Sequence, residues 1–225
     1  MIKKTLGLGV LCLTCSLPSI AGTMGDDAVF PEVYLGVFGG YGKYEGGVGQ
    51  DGNVTQLRLT LGARAPQAYT YKNFQIGGEL GVQTGNSQRL SATTAVSALN
   101  GGLPFQATVK PLIDLLATLT YKIQPDSPYA VILKGGIAYR QLQLDGVSSN
   151  KDSLSKVNGE FQAGLGYRLS EHAQLTAMYQ GIYSSSNAGV NFVSTNNLGF
   201  VNAGYFTVSQ IPTQNSGFLG IDYTF

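Results

Sequence analysis

Apolar and polar residues alternate one by one along most of this chain. The clearest case is 54–64, where Leu57, Leu59, Leu61 and Ala63 alternate with Gln56, Arg58, Thr60, Gly62 and Arg64. A period of two marks a strand whose two faces meet different surroundings. The same pattern predicts strands over 32–41, 73–83, 106–121, 129–142, 157–169, 173–183 and 216–225. In 73–83, for example, Phe74, Ile76, Leu80 and Val82 oppose Gln75, Glu79 and Gln83. That makes eight strands, each of roughly ten residues or more, the length that crosses a bilayer at a tilt. Their connections alternate in character. After the second, fourth and sixth strands they are short, as in Gln124-Pro125-Asp126-Ser127-Pro128 and Ser170-Glu171-His172. After the first, third, fifth and seventh they are long and polar. Two of these, 84–105 and 184–215, are the longest irregular stretches, with room for a short helix at 92–99 and for strand extensions over 199–211.

The last strand sharpens the picture. Leu219, Ile221, Tyr223 and Phe225 share one face; Phe218, Gly220, Asp222 and Thr224 share the other. An apolar strand left as a sheet edge invites aggregation. Pairing the last strand with the first removes the edge and closes a barrel. Alternation alone does not say which face is outside. The polar faces combine charges with many glycines, which cover poorly against water but suit a tight interior. Tyrosines cluster near the strand ends on the aliphatic face: Tyr121, Tyr129, Tyr167 and Tyr223 with Phe225 at the short-turn end, and Tyr139, Tyr179 and Tyr183 toward the loops. Two aromatic belts at two water interfaces place the aliphatic face in lipid.

Composition agrees with a membrane barrel. The chain has 225 residues, 12% of them charged, with net charge +1 and 31 glycines. Soluble domains carry about 25% charged residues. Near-neutral charge gives no sign of a nucleic-acid partner. The segment 1–21 reads as an export signal: Lys3 and Lys4, an apolar stretch over 5–17, then Ser19-Ile20-Ala21 with cleavage after Ala21. Both cysteines, Cys12 and Cys15, fall inside it, so the domain over 22–225 has no thiol for a disulfide, nucleophile or metal. With a single histidine, His172, there is no metal-ligand cluster and no cofactor is expected.

Export signal, eight alternating strands, one-sided long loops and a terminal Leu219-x-Ile221-x-Tyr223-x-Phe225 strand together resemble the small eight-stranded outer-membrane proteins of the OmpA/OmpX type. The resemblance implies an all-β, eight-stranded antiparallel up-and-down transmembrane β-barrel in the outer membrane of a Gram-negative bacterium. It implies a monomer embedded in outer-membrane lipid and lipopolysaccharide. It also implies that Leu219, Ile221, Tyr223 and Phe225 are the signal read by the barrel-assembly machinery. The interior is then expected to hold a charge network of Arg58, Glu79, Asp114, Lys134, Arg140, Glu160, Arg168 and Asp222, with Arg64 beside it. Heights along neighbouring strands predict the pairs Arg58–Glu79, Asp114–Lys134 and Arg140–Glu160. The interior glycines, among them Gly36, Gly40, Gly62, Gly81 and Gly166, are expected to leave room for water. Two roles follow: a membrane-stabilising barrel whose loops adhere to a host or bacterial surface, or a narrow channel gated by rearranging charge pairs.

Lipid-modifying activity is tested by one segment. Ser184-Ser185-Ser186-Asn187-Ala188 is similar to the His-x-Ser-Asn-Ala stretch of lipid A deacylases, but Ser184 stands where the histidine base belongs. His172 lies in a short turn at the other end of the barrel. A serine without a base is not a nucleophile, so no enzymatic activity is expected. The loop aromatics Phe192, Phe200, Tyr205 and Phe206, set among polar residues, are the candidate surface contacts.

Overall fold

The computed structural model describes residues 31–45, 53–66, 73–85, 106–124, 127–145, 153–183, 190–193, 205–208 and 211–225. The export segment, the 92–99 stretch, Ser186 and Phe200 lie outside these residues. Eleven strands run along the described chain: β1 (Glu32–Glu45), β2 (Asn53–Arg64), β3 (Phe74–Gln83), β4 (Gln106–Val109), β5 (Leu112–Lys122), β6 (Tyr129–Asp145), β7 (Ser153–Arg168), β8 (Ala173–Tyr183), β9 (Val190–Val193), β10 (Tyr205–Val208) and β11 (Thr213–Thr224). Eight of them pair in a ring, β1-β2-β3-β5-β6-β7-β8-β11, all antiparallel. The ring closes as β11 returns to β1, with Ile221 opposite Val37 and Tyr223 opposite Leu35. Closure leaves the ring without a free sheet edge, which hydrocarbon demands.

The two faces are sorted as the alternation predicts for a membrane barrel. Leu57, Leu59 and Leu61 are 49–52% exposed, while Gln56, Arg58 and Thr60 between them are 2% exposed. The bulky aliphatic face is therefore outside and the polar face inside, the reverse of a water-soluble barrel. A charge on the outer face should be costly in proportion to its depth. Leu59→Arg, at the middle of β2, is expected to destabilise the protein in lipid vesicles by about 2–4 kcal/mol, and Ala63→Arg near the strand end by about 0–1 kcal/mol. Urea titration of the refolded variants measures both; equal costs at the two positions would place neither in a bilayer.

The structure corrects the fourth strand. The pattern predicts one strand over 106–121, but it is broken into β4 and β5, both paired with β6. Val109 faces Leu142 and Ile113 faces Tyr139, so three residues, Lys110, Pro111 and Leu112, oppose two, Arg140 and Gln141. This is a β-bulge at a proline that cannot donate to the ladder. Lys110 bridges it through its N–H to the Gln141 carbonyl at 2.8 Å. The extra residue flips the alternation: Val109 is buried above the bulge, whereas Leu112 and Asp114 are buried below it.

Other predicted strands are too short at the loop end. β6 and β7 continue their pairing to Gln143 opposite Ser153, inside the predicted polar loop. With β4 alongside, they form a three-stranded tongue. β6 has 17 residues, well beyond the ~9–11 needed to cross a bilayer, so its outer end stands clear of the membrane. β11 begins at Thr213 rather than 216. The stretch predicted as irregular over 184–215 also contains a separate hairpin, β9 with β10, in which Phe206 pairs with Phe192. Here β10 pairs with β9 and does not extend a barrel strand as 199–211 suggested. Outside the membrane no face has to be uniformly apolar, so alternation fades while backbone pairing persists.

Candidate functional site

The lumen is filled in layers, and its centre is a charge cluster. Arg58 projects inward from β2 and donates to Asp114 on β5 through both terminal nitrogens, with Nη2 2.8 Å from Oδ1. The same Nη2 lies 3.1 Å from Glu79 Oε1 on β3. Glu160 on β7 approaches Arg58 to 3.7 Å. Lys134 on β6 donates to Glu79 Oε2 at 2.5 Å, and the Tyr34 hydroxyl of β1 donates to the same oxygen at 2.8 Å. All these side chains are buried. Buried charges without partners would cost several kcal/mol each, so the cluster is what lets five charges occupy one cross-section.

Of the predicted pairs, Arg58 and Glu79 do stand together. Lys134 meets Glu79 instead of Asp114, because the guanidinium fork of Arg58 reaches over β3 to Asp114. That reach depends on Gly81 between the two strands: a Cβ there would lie 2.5 Å from both Arg58 Nη2 and Asp114 Oδ1. Arg140 and Glu160 are not partners either. Arg140 instead spans the lumen near its outer end, donating to the Pro212 carbonyl at 2.8 Å with its guanidinium 5.7 Å from the Tyr44 ring centre. Glu160 accepts from Gln162 at 2.5 Å and Gln180 at 2.7 Å. Asp222 is buried and takes its hydrogen bond from Thr176 Oγ1 at 2.8 Å. Arg168 lines the short-turn mouth of the lumen and is exposed rather than buried with the cluster, because it is the last residue of β7 and the barrel opens to water there. Arg64, also at a strand end, is half-buried, its guanidinium 4.2 Å from the Tyr34 ring centre.

Beside the charges lies an apolar plug that the sequence reading missed. Phe38, Met178 and Phe218 form one buried cluster. The gap bounded by these three with Arg58, Lys134 and Gln162 leaves no space for a water molecule. The sequence suggested that the interior glycines leave room for water; several of them accommodate large neighbours instead. The Tyr34 ring lies over Gly62, Phe218 over Gly40, Phe38 over Gly36 and Gly220, and the Gln174 side chain over Gly166. The signal was present: big aromatic side chains at Tyr34, Phe38 and Phe218 share faces with runs of glycine, the pairing of large with small that fills a narrow barrel. A further layer is glutamine, with Gln214 donating to Gln180 at 3.3 Å and Gln180 to Gln83 at 3.0 Å.

On the outer surface the aromatic residues form the two belts. At the short-turn end Phe74 stacks near Tyr121 with ring centres 4.8 Å apart, Tyr129 near Tyr167 at 5.2 Å, and Tyr223 near Phe225 at 5.4 Å. Toward the loops, Tyr41, Tyr139, Tyr179 and Tyr183 are exposed. Leu219, Ile221, Tyr223 and Phe225 form one exposed stripe on β11, and the Phe225 N–H donates to Val33 O at 3.0 Å to seal the seam. His172 sits in the turn before β8, its Nδ1 3.0 Å from Thr224 O. The loop aromatics Phe192, Tyr205 and Phe206 fall on β9 and β10.

A closed ring with lipid-type aliphatics outside, charges inside and an aromatic belt at each end is matched by one family model, the outer membrane protein beta-barrel domain, over residues 10–208. The chain belongs to this family. No curated protein matches it in sequence. Among solved structures it is similar to Ail, the attachment invasion locus protein of Yersinia pestis, with 12% identity over 87% of this chain and 97% of that one and a TM-score of 0.48. It is also similar to Neisserial surface protein A, with 11% identity over 86% and 97% and a TM-score of 0.47. The N-terminal β-barrel domain of Pseudomonas aeruginosa OprF shows 11% identity over 87% and 100%, with a TM-score of 0.43. As a member of the outer-membrane barrel family, the protein resides in the bacterial outer membrane. In such barrels the short turns face the periplasm and the long loops the outside. The plug, Arg140 and the β4–β6–β7 tongue can thus be ordered from periplasm to cell exterior.

Proposed function

We propose that this outer-membrane barrel is a non-conducting, non-enzymatic scaffold that stabilises the membrane and presents its outer strands and loops to a surface partner. The observation that carries this reading is the packing of the lumen: the gap between Phe38, Met178 and Phe218 and the adjoining Arg58 and Lys134 has no room for a water molecule. A channel gated by rearranging charge pairs would have to move these apolar side chains as well as the ions. The interior charge network is read as structural, tying β2, β3, β5, β6 and β7 together across the lumen. The Leu219, Ile221, Tyr223 and Phe225 stripe is read as the assembly signal, since it is presented outward on the strand that closes the ring.

What remains for function is the outside. The tongue formed by β4, β6 and β7 and the β9–β10 hairpin are ordered strands on the loop side. Paired strands present contact residues at a lower entropy cost than flexible loops. Deleting 186–206, which removes β9, the segment after it and the first two residues of β10, is expected to abolish adhesion of bacteria displaying the protein to a host or bacterial surface. Heat-dependent migration on detergent gels checks that the deletant still folds. Undiminished adhesion by a folded deletant would contradict the assignment.

A further inference from the structure

We propose that the periplasmic mouth of the barrel is a binding site for a small, multiply charged oxyanion of the phosphate type. The mouth is a cavity of about 340 Å³ enclosed by the inner ends of the strands and the short turns. Three cations line it from three separate strands: Arg64 on β2, Lys122 on β5 and Arg168 on β7. Among the described residues none of them forms an ion pair with a side-chain or terminal carboxylate. Three acids share the cavity: Glu32, which is engaged by Gln75 Nε2 at 2.9 Å, Glu171, which is exposed in the β7–β8 turn, and the terminal carboxylate of Phe225, also exposed.

The contrast with the lumen above is informative. There every cation but Arg140 is matched to a carboxylate, as burial requires. At the mouth Arg64, Lys122 and Arg168 line an open cavity instead. Arg64 is held in place by its position against the Tyr34 ring, 4.2 Å from guanidinium carbon to centroid. Two guanidinium forks and an ammonium around one recess offer the donor geometry that captures an oxyanion bidentately. The plug packs the lumen beyond it, and the site opens toward the periplasm. Two sources supply such an anion there: free phosphate compounds, and the phosphate headgroups of lipids in the inner leaflet.

The test uses the refolded full barrel and amide resonance shifts. Inorganic pyrophosphate added to the protein in zwitterionic micelles should shift the Arg64, Gln75, Lys122 and Arg168 amides saturably. In a second arm, phosphatidic acid is introduced into zwitterionic nanodiscs. Shifts of the same amides only in that arm would identify the headgroup as the source and leave the site standing. The triple variant R64Q/K122Q/R168Q should bind at least tenfold more weakly, and K122Q alone at least threefold, so the result does not depend on the triple variant folding. No shift from either source, or unchanged binding by K122Q and by a folded triple variant, would overturn the proposal.

Discussion

Replacing Arg58 with methionine is expected to be the most damaging single change in the barrel, lowering its stability by about 3–5 kcal/mol, the cost of breaking a buried ion pair by removing one partner. Methionine keeps much of the volume and removes the charge. Asp114 then loses both of its donors, and Glu79 and Glu160 lose their nearest guanidinium, leaving Lys134 as the one cation in direct contact with the cluster. Three acids around one amine in a dry cross-section are costly. The variant Asp222→Asn, which keeps size and can still bond Thr176, is the comparison and should cost far less. Urea unfolding in lipid vesicles reads both. If Arg58→Met unfolded at the wild-type urea midpoint, the cluster would be solvated and the description of a tightly paired interior would be wrong.

Trimming Phe38 and Phe218 to alanine together is the second large effect. Each truncation removes a buried ring, worth about 3–5 kcal/mol in a well-packed core. The two rings touch one cluster, so their costs will not simply add. The more telling consequence is hydraulic. The gap they bound with Met178, Arg58, Lys134 and Gln162 is closed to water in the wild type. With both rings gone, water reaches the charge cluster and connects it to the glutamine layer, and discrete ion-conducting events are expected in planar bilayers. Phe38→Leu, which keeps an apolar filler, should stay silent. A silent double variant that is correctly folded would mean that another layer, such as Arg140 across the outer end, seals the lumen independently.

How much of this was legible in the sequence differs by level. The ring of eight crossing strands was, because Leu57, Leu59 and Leu61 against Gln56, Arg58 and Thr60 is a two-environment pattern that lipid enforces strictly. The ends of the strands were not. Beyond the membrane, as between Gln143 and Ser153, pairing continues without any face needing to be apolar, so the pattern loses its cause before the strand ends. The bulge at Lys110-Pro111 was visible as a proline within an alternating run, yet its consequence, the reversal of inward and outward sides between Val109 and Asp114, needed the register. Placement of most of the interior charges followed from alternation, but their partners did not. Height along neighbouring strands predicted Asp114 with Lys134, whereas a long guanidinium reaching past Gly81 chose Asp114 for Arg58. Reach over an intervening strand depends on side-chain length and on which neighbour is a glycine, neither of which a strand-by-strand reading weighs. The aromatic plug is illegible for the same reason: alternation puts Phe218 on the inner face of its own strand but does not set it against the glycines of the adjacent one.

Outer-membrane barrels differ mainly in what their lumens and loops do, and here the lumen is the part the geometry decides. Single-channel recording of the wild-type protein, refolded and inserted into a planar bilayer, tests that decision most directly. A flat current trace at all voltages, from a preparation shown to be folded by its heat-dependent migration, is the predicted result. Reproducible stepwise conductance from the unmodified protein would contradict it and restore the channel as the function of the barrel.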